Sequence, residues 1–275
     1  MSGRLPFRVN QVLTGMQNPD WDMPSEMTAI PKKLKMGGYA THMVGKWHVG
    51  VQSVGQTPFG RGFDTSKHYA DGAEDHWTQA ACCCAACNCP CTAESDPGNG
   101  YVYLKAAGLS TTNMIDFWCT DKPCWGLNGT NYHMGRNGQG VGDFKHYGDY
   151  VYSQEAMRII NEHDLQIPIY FYIAFQCNHE PLEAPDEFVE RYPDTYRVDR
   201  RWYAGMTSYW DAALGNITDV IKARGMWNDS IMVLTTDNGG PAYWTSPQVQ
   251  YDYPPLVPGA KKGYPHGGGA NNWPL

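Results

Sequence analysis

Lys46 and His48 flank Trp47 at the end of the run Gly38-Tyr39-Ala40-Thr41-His42-Met43-Val44-Gly45. A fixed ammonium beside an imidazole that titrates near neutrality suits an anionic substrate whose reaction moves protons. His179 stands between Asn178 and Glu180, just past the apolar run Ile167 to Gln176, and Asp237-Asn238-Gly239-Gly240 follows Ile231 to Thr236 in the same way. Adjacent carboxylate and amide oxygens are ligands for hard cations such as Ca²⁺ or Mg²⁺ and are poor ligands for Zn²⁺. Each group by itself is equally the composition of a solvated turn. What they share is position: all three come directly after a predicted strand, where ligands gather in open α/β sheets.

The elements that must hold these groups can be read from periodicity. Thr28 to Met36 is predicted as a short helix with Thr28 as N-cap and Pro31 in its first turn, closed by Gly37-Gly38. Tyr39 to Val44 is then a strand, and on an extended backbone Lys46 and His48 would share one face. From Val51 to Tyr147 the chain is Gly-rich and aperiodic, which reads as long loops with a few short elements. Asp149 to His163 has helical spacing, with Val151, Ile159 and Ile160 apolar. The nearly continuous Ile167 to Gln176 predicts a central parallel strand buried on both faces. Arg201 to Arg224 is a long amphipathic helix ending at Gly225, and Ile231 to Thr236 is a further buried strand. Helices alternating with strands give an α/β class with a mostly parallel central sheet flanked by helices and polar groups collected at its strand ends.

Composition narrows the function. The chain of 275 residues carries a net charge of -7. It has no cluster of Lys and Arg, which argues against nucleic acid as a partner. No stretch approaches the ~18 apolar residues of a membrane span, and no apolar h-region follows Met1. Three sequons, at Asn128, Asn216 and Asn228, accompany nine cysteines and favour the secretory pathway, lysosomal or extracellular, with a signal peptide upstream. Six of those cysteines fall within Cys82 to Cys91. A disulfide-stapled loop, a soft-metal cluster and an insert that needs neither are the available readings, and the sequons favour disulfides. Cys119 and Cys124 can close a small loop of their own, and the odd total leaves at least one thiol over.

Gly38 to Gly50 closely resembles the second signature of the type I sulfatases, in particular the arylsulfatase B-like branch. The resemblance continues in the family's order through Arg61-Gly62-Phe63-Asp64, Gly72-Ala73-Glu74-Asp75-His76, Ala174-Phe175-Gln176, His179-Glu180-Pro181-Leu182, Tyr203-Ala204-Gly205-Met206, Thr236 to Gly240 and Asn271 to Leu275. It implies the alkaline-phosphatase-like sulfatase fold, with the whole chain as a partial catalytic domain carrying a cysteine-rich loop insert at about 80–130. It also implies hydrolysis of sulfate esters of carbohydrates or aryl alcohols. In that family a Cys-x-Pro-Ser-Arg motif supplies a formylglycine nucleophile, and one Ca²⁺ is bound. The resemblance assigns Lys46 and His48 to the nucleophile, His179 to sulfate and the leaving oxygen, and Asp237 and Asn238 to the metal. Ser2-Gly3-Arg4 resembles the tail of that first signature. The nucleophile and the remaining metal-binding aspartates are therefore expected upstream, further family segments downstream, and this stretch alone is expected to be catalytically silent. A noncatalytic glycan-binding relative and a phosphoesterase of the same superfamily are the alternatives, distinguished by what occupies the nucleophile position.

Overall fold

The computed structural model describes residues 1–3, 23–24, 26–50, 54–70, 72, 76, 118–119, 147–180, 182–236 and 238–240. The chain divides into two compact units. The first comprises Met1–Glu74, Gln79–Asp143 and Asp164–Phe175; the second comprises Asp75–Thr78, Phe144–His163 and Gln176–Leu275. The cysteine cluster Cys82 to Cys91, Cys124, Asn128 and Asp237 lie outside the described residues.

The first unit is a four-stranded sheet in the order β3-β2-β1-β4. β1 (Ala40–Lys46) runs parallel to both β2 (Thr65–Tyr69) and β4 (Ile169–Ala174), while β3 (Trp118–Cys119) is antiparallel to β2. Helix α1 (Ile30–Met36) precedes β1 and packs against it. It begins two residues later than Thr28, with Ala29 at the N-cap and no side-chain cap, because Pro31 already fixes the helical φ of the first turn. Gly38, at φ 85°, turns the chain from α1 into β1.

Thr41 ties the start of β1 to the turn before β2. Its amide donates to Asp64 Oδ2 (2.9 Å), its hydroxyl donates to the Gly62 carbonyl (2.8 Å), and the Asp64 amide donates to the Thr41 carbonyl (2.7 Å). Lys35 of α1 meets the other carboxylate oxygen at 2.5 Å. Burial works to raise the Asp64 pKa, but the bonds from Lys35 and Thr41 outweigh it and hold the carboxyl below its ordinary value. Thr41→Val keeps the shape of this fully buried side chain but strands the Gly62 carbonyl. The expected cost is about 1–3 kcal/mol in urea denaturation, and a loss under about 0.5 kcal/mol would show that the hydroxyl is dispensable.

β2 lies inside the region predicted as loops, because Thr-Ser-Lys-His-Tyr lacks the apolar alternation of a strand even though Lys67, His68 and Tyr69 are all buried. β4 also departs from expectation. It pairs only with β1 among the described strands, and all six of its residues are half-buried rather than enclosed on both faces. Its aromatic side chains explain the apolar run: Tyr170 and Tyr172 stack on Phe63, which with Met43 and Trp47 forms the core of this unit.

In the second unit α2 (Gly148–Glu162) and α4 (Val198–Ala223) pack together, and the short α3 (Asp186–Val189) packs on α4. Trp202, Met206, Tyr209, Ala213 and Ile217 are spaced three or four apart and form the buried stripe of α4. Gly205 sits in the same stripe because a Cβ there would meet Val189 at 2.9 Å. Gly225, at φ 73°, closes α4 as the periodicity predicts.

The expected strand Ile231 to Thr236 is not formed. The segment is irregular, with Ile231 93% and Val233 79% exposed. A β-branched run becomes a strand only where a neighbour takes up its N–H and C=O groups, and no described strand pairs with this one.

Candidate functional site

Lys46 is the last residue of β1. Just before it, Gly45 has φ 90°, and a Cβ there would lie 1.8 Å from the Ala174 carbonyl oxygen, so only glycine lets β1 and β4 approach at this level. The ladder to β2 runs on past the strand: the Trp47 amide donates to the Tyr69 carbonyl (3.0 Å) and the His48 amide to that of Ala70 (3.2 Å). Trp47 is buried edge-on against Phe63, and its indole N–H donates to the Gly50 carbonyl (2.8 Å). The tryptophan thus anchors the turn while its two neighbours stay half-exposed.

His48 reaches its place differently from the expectation. Its φ is 47°, so the backbone is left-handed there, and the extended-strand rule that puts residues two apart on one face does not apply. The imidazole lies over Gly72, where a Cβ would come within 2.6 Å of Cε1. Gly72 is the seat of the ring, a role no spacing rule reveals.

His179 belongs to the second unit, in the turn that follows Gln176. Its amide donates to the Gln176 carbonyl (3.0 Å), and its Nδ1 is 2.7 Å from the Glu180 carbonyl. A carbonyl can only accept, so Nδ1 carries the hydrogen and Nε2 is the nitrogen that can exchange a proton. Asn178 is fastened to α4, its Nδ2 donating to the Thr207 hydroxyl and the Tyr203 carbonyl.

A buried polar cluster adjoins this turn. Asp149, in the first turn of α2, accepts the amides of Gln176 (2.7 Å) and Cys177 (2.9 Å). His76 Nε2 donates to the His179 carbonyl (3.2 Å), and its backbone amide donates to Glu183 Oε2 (2.9 Å). The Tyr147 hydroxyl donates to the Glu183 carbonyl (2.7 Å) and lies 3.1 Å from Cys177 Sγ. Burial raises the pKa values of Tyr147, Asp149 and Cys177, and the acidic neighbours push Tyr147 and Cys177 further up. Sequence reasoning used Asp149 only as a helix start and missed this cluster, since residues 76, 149 and 177 are too far apart for any motif to join them.

Of the expected metal pair, Asp237 lies outside the described residues and only Asn238 is described. Asn238 is exposed and its side-chain amide donates to the Gly239 carbonyl (2.9 Å). It offers one neutral oxygen where Ca²⁺ takes ~6–8 ligands, so no step is assigned to a metal here. Asn216, midway along α4, and Asn228, in the turn Trp227–Asp229, are both exposed.

The family model described as Sulfatase matches residues 8–275. The chain belongs to the sulfatase family. Arylsulfatase J of Mus musculus is 32% identical over 219 residues, covering 79% of this chain and 30% of that protein. An arylsulfatase of Klebsiella aerogenes is 22% identical over 299 residues, covering 86% and 55%. This sulfatase chain therefore spans 30% and 55% of the length of these two curated relatives. Among solved structures, Ps i-CgsB in complex with k-i-k-neocarrahexaose superposes with a TM-score of 0.58 at 23% identity, over 82% of this chain and 43% of that one. The PsFucS1 sulfatase from Pseudoalteromonas sp. gives 0.53 at 21%, over 82% and 41%. These likenesses establish the α/β sulfatase fold, with its mostly parallel sheet.

Proposed function

We propose that this protein is a sulfuric ester hydrolase acting on sulfated carbohydrates or aryl sulfates. The observation that supports this most directly is the Lys46-Trp47-His48 turn. A buried indole pins the backbone between a half-exposed ammonium and a half-exposed imidazole, and Gly72 leaves room for the ring. Lys46 supplies fixed positive charge to an anionic reacting group, and His48 takes the proton whose removal drives elimination of sulfate and leaves the aldehyde. His179 binds sulfate through its ring and protonates the departing alcohol oxygen from Nε2, since Nδ1 is committed to the Glu180 carbonyl. A formylglycine hydrate, expected from the family's first signature, supplies the attacking oxygen. Its chemistry needs groups that position, deprotonate and protonate around it, and these three residues are of those kinds. Asp237 and Asn238 are proposed as part of a Ca²⁺ site whose remaining oxygens come from elsewhere in the polypeptide. The oligosaccharide bound to Ps i-CgsB supports a sulfated glycan as the substrate class.

The test is expression of the longest transcript containing this stretch, assayed with a chromogenic aryl sulfate and, in parallel, the matching aryl phosphate. Sulfate turnover with little phosphate turnover is expected. Phosphatase activity alone, or none with a Cys-x-Pro-Ser-Arg motif present and converted, would refute the reading. The 275 residues alone, carrying no such motif, are expected to show no turnover above a buffer blank.

We also place the protein in the secretory pathway, on the three sequons together with the nine cysteines. Secreted from eukaryotic cells, it should lose mass on enzymatic removal of N-glycans, with Asn216 and Asn228 among the modified sites. An unchanged mass at both would count against that localisation. Thiol counting on the same material should find most cysteines oxidised, and a majority of free or zinc-bound sulfurs would contradict the disulfide reading of the insert.

A further inference from the structure

Three side chains that the sulfatase chemistry leaves unused meet beside the His179 turn. His76, Asp149 and Cys177 each present one metal-ligating atom, and these atoms lie within 4.8 Å of one another. We propose that His76, Asp149 and Cys177 form a binding site for a divalent transition metal of the zinc class, of different donor chemistry from the oxygen pair at Asp237-Asn238.

The donor set decides the class of ion. One imidazole, one carboxylate and one thiolate match borderline-soft Zn²⁺ and leave a fourth tetrahedral position for water, whereas Ca²⁺ and Mg²⁺ take oxygen almost exclusively. The orientation of the groups fits as well. Because His76 Nε2–H is donated to the His179 carbonyl, the lone pair of the neutral ring sits on Nδ1. A second nitrogen bonded to a backbone carbonyl is the usual arrangement of a ligating histidine. Asp149 is likewise held by two backbone amides, those of Gln176 and Cys177, which fix its carboxylate and leave it lone pairs to spend.

Charge is balanced. Binding expels the Cys177 thiol proton to solvent, and thiolate and carboxylate together neutralise the dication, which is what a buried site requires. His76 and Asp149 are fully buried while Cys177 is partly exposed, so the ion enters on the cysteine side. The donors must draw together to about 3.3–3.7 Å, the ligand separations of tetrahedral zinc, and rotation of the partly exposed Cys177 side chain is the simplest way. A metal here would fix His76 and Cys177, and with them the backbone of the turn that carries His179.

The test uses the 275-residue chain, reduced, with Cys82, Cys83, Cys84, Cys87, Cys89, Cys91, Cys119 and Cys124 replaced by Ser so that Cys177 is the one thiol left. Co²⁺ titration should give one equivalent bound and a thiolate-to-cobalt charge-transfer band, both lost in Cys177→Ala and in His76→Ala. Alkylation of Cys177, followed by peptide mass spectrometry, should slow by about tenfold or more in stoichiometric Zn²⁺, and this needs no change within the site. The same metal content in a folded Cys177→Ala chain, or alkylation of Cys177 indifferent to Zn²⁺, would overturn the proposal. Neither readout depends on sulfatase activity, so failure here leaves the functional reading untouched.

Discussion

Alanine at Lys46, His48 or His179, in a polypeptide that carries the family's first signature, is expected to lower turnover of an aryl sulfate by about a hundredfold or more, the usual scale for positioned acid–base groups. The three changes should differ in kind. In its proposed role Lys46 contributes positive charge, so Lys46→Ala should depress activity at every pH, with partial recovery in Lys46→Arg. In their proposed roles His48 and His179 act by proton transfer, so each alanine should remove one limb of the pH profile. His179→Gln is the sharper probe, because an amide can still hydrogen-bond sulfate yet cannot protonate a leaving oxygen. Its loss should appear in kcat more than in KM. All three side chains are half-exposed and none belongs to the core clusters. Melting temperatures should therefore stay close to that of the parent. Near-normal turnover in a folded variant would move that residue to a structural role.

The chain is also expected to lose stability steeply in mild acid, and His68 is the reason. It is fully buried in β2, and neither ring nitrogen has a hydrogen-bond partner among the described residues. Burial alone lowers its pKa from 6.5 to about 3. The folded state keeps the ring neutral while the unfolded chain protonates it below pH ~6.5, so the unfolded state binds more protons throughout that window. The stability tied to neutral His68 is therefore complete above the unfolded pKa and drains away as pH falls toward the folded one. One pKa unit corresponds to about 1.4 kcal/mol, so this residue alone should contribute a slope approaching about 1.4 kcal/mol per pH unit across the window. Urea denaturation of the parent and of His68→Leu at pH 7, 6 and 5 isolates the effect, since acidic side chains contribute equally to both. Equal slopes in the two proteins would show that His68 is hydrated or partnered in solution.

The helices were legible because their signals are local. Gly37-Gly38 and Gly225 mark where α1 and α4 stop, and of the stripe read at Tyr203, Met206, Trp210, Ala213, Leu214, Ile217 and Ile221 the structure buries Met206, Ala213 and Ile217, with Trp202 and Tyr209 in place of the neighbouring aromatics. β1 was legible for the same reason, and with it the placement of Lys46 at a strand end. The family was legible from wording: the run Gly38 to Gly50 and the order of the shorter motifs after it belong to sulfatases, and the family match over residues 8–275 agrees.

What the sequence could not weigh was the environment each segment meets. Ile231 to Thr236 has a better strand composition than Thr65 to Tyr69, yet the second is a strand and the first is not. β2 has a partner on each side to take up its backbone groups, and that outweighs the cost of burying Lys67 and His68. The same reason separates what the chain spells out from what folding adds. The chemical identity of Lys46, His48 and His179 was fixed by the chain itself. The left-handed turn at His48, its seat on Gly72, and the meeting of His76 with Asp149 and Cys177 arise from contacts between residues far apart in sequence, and only folding brings those together.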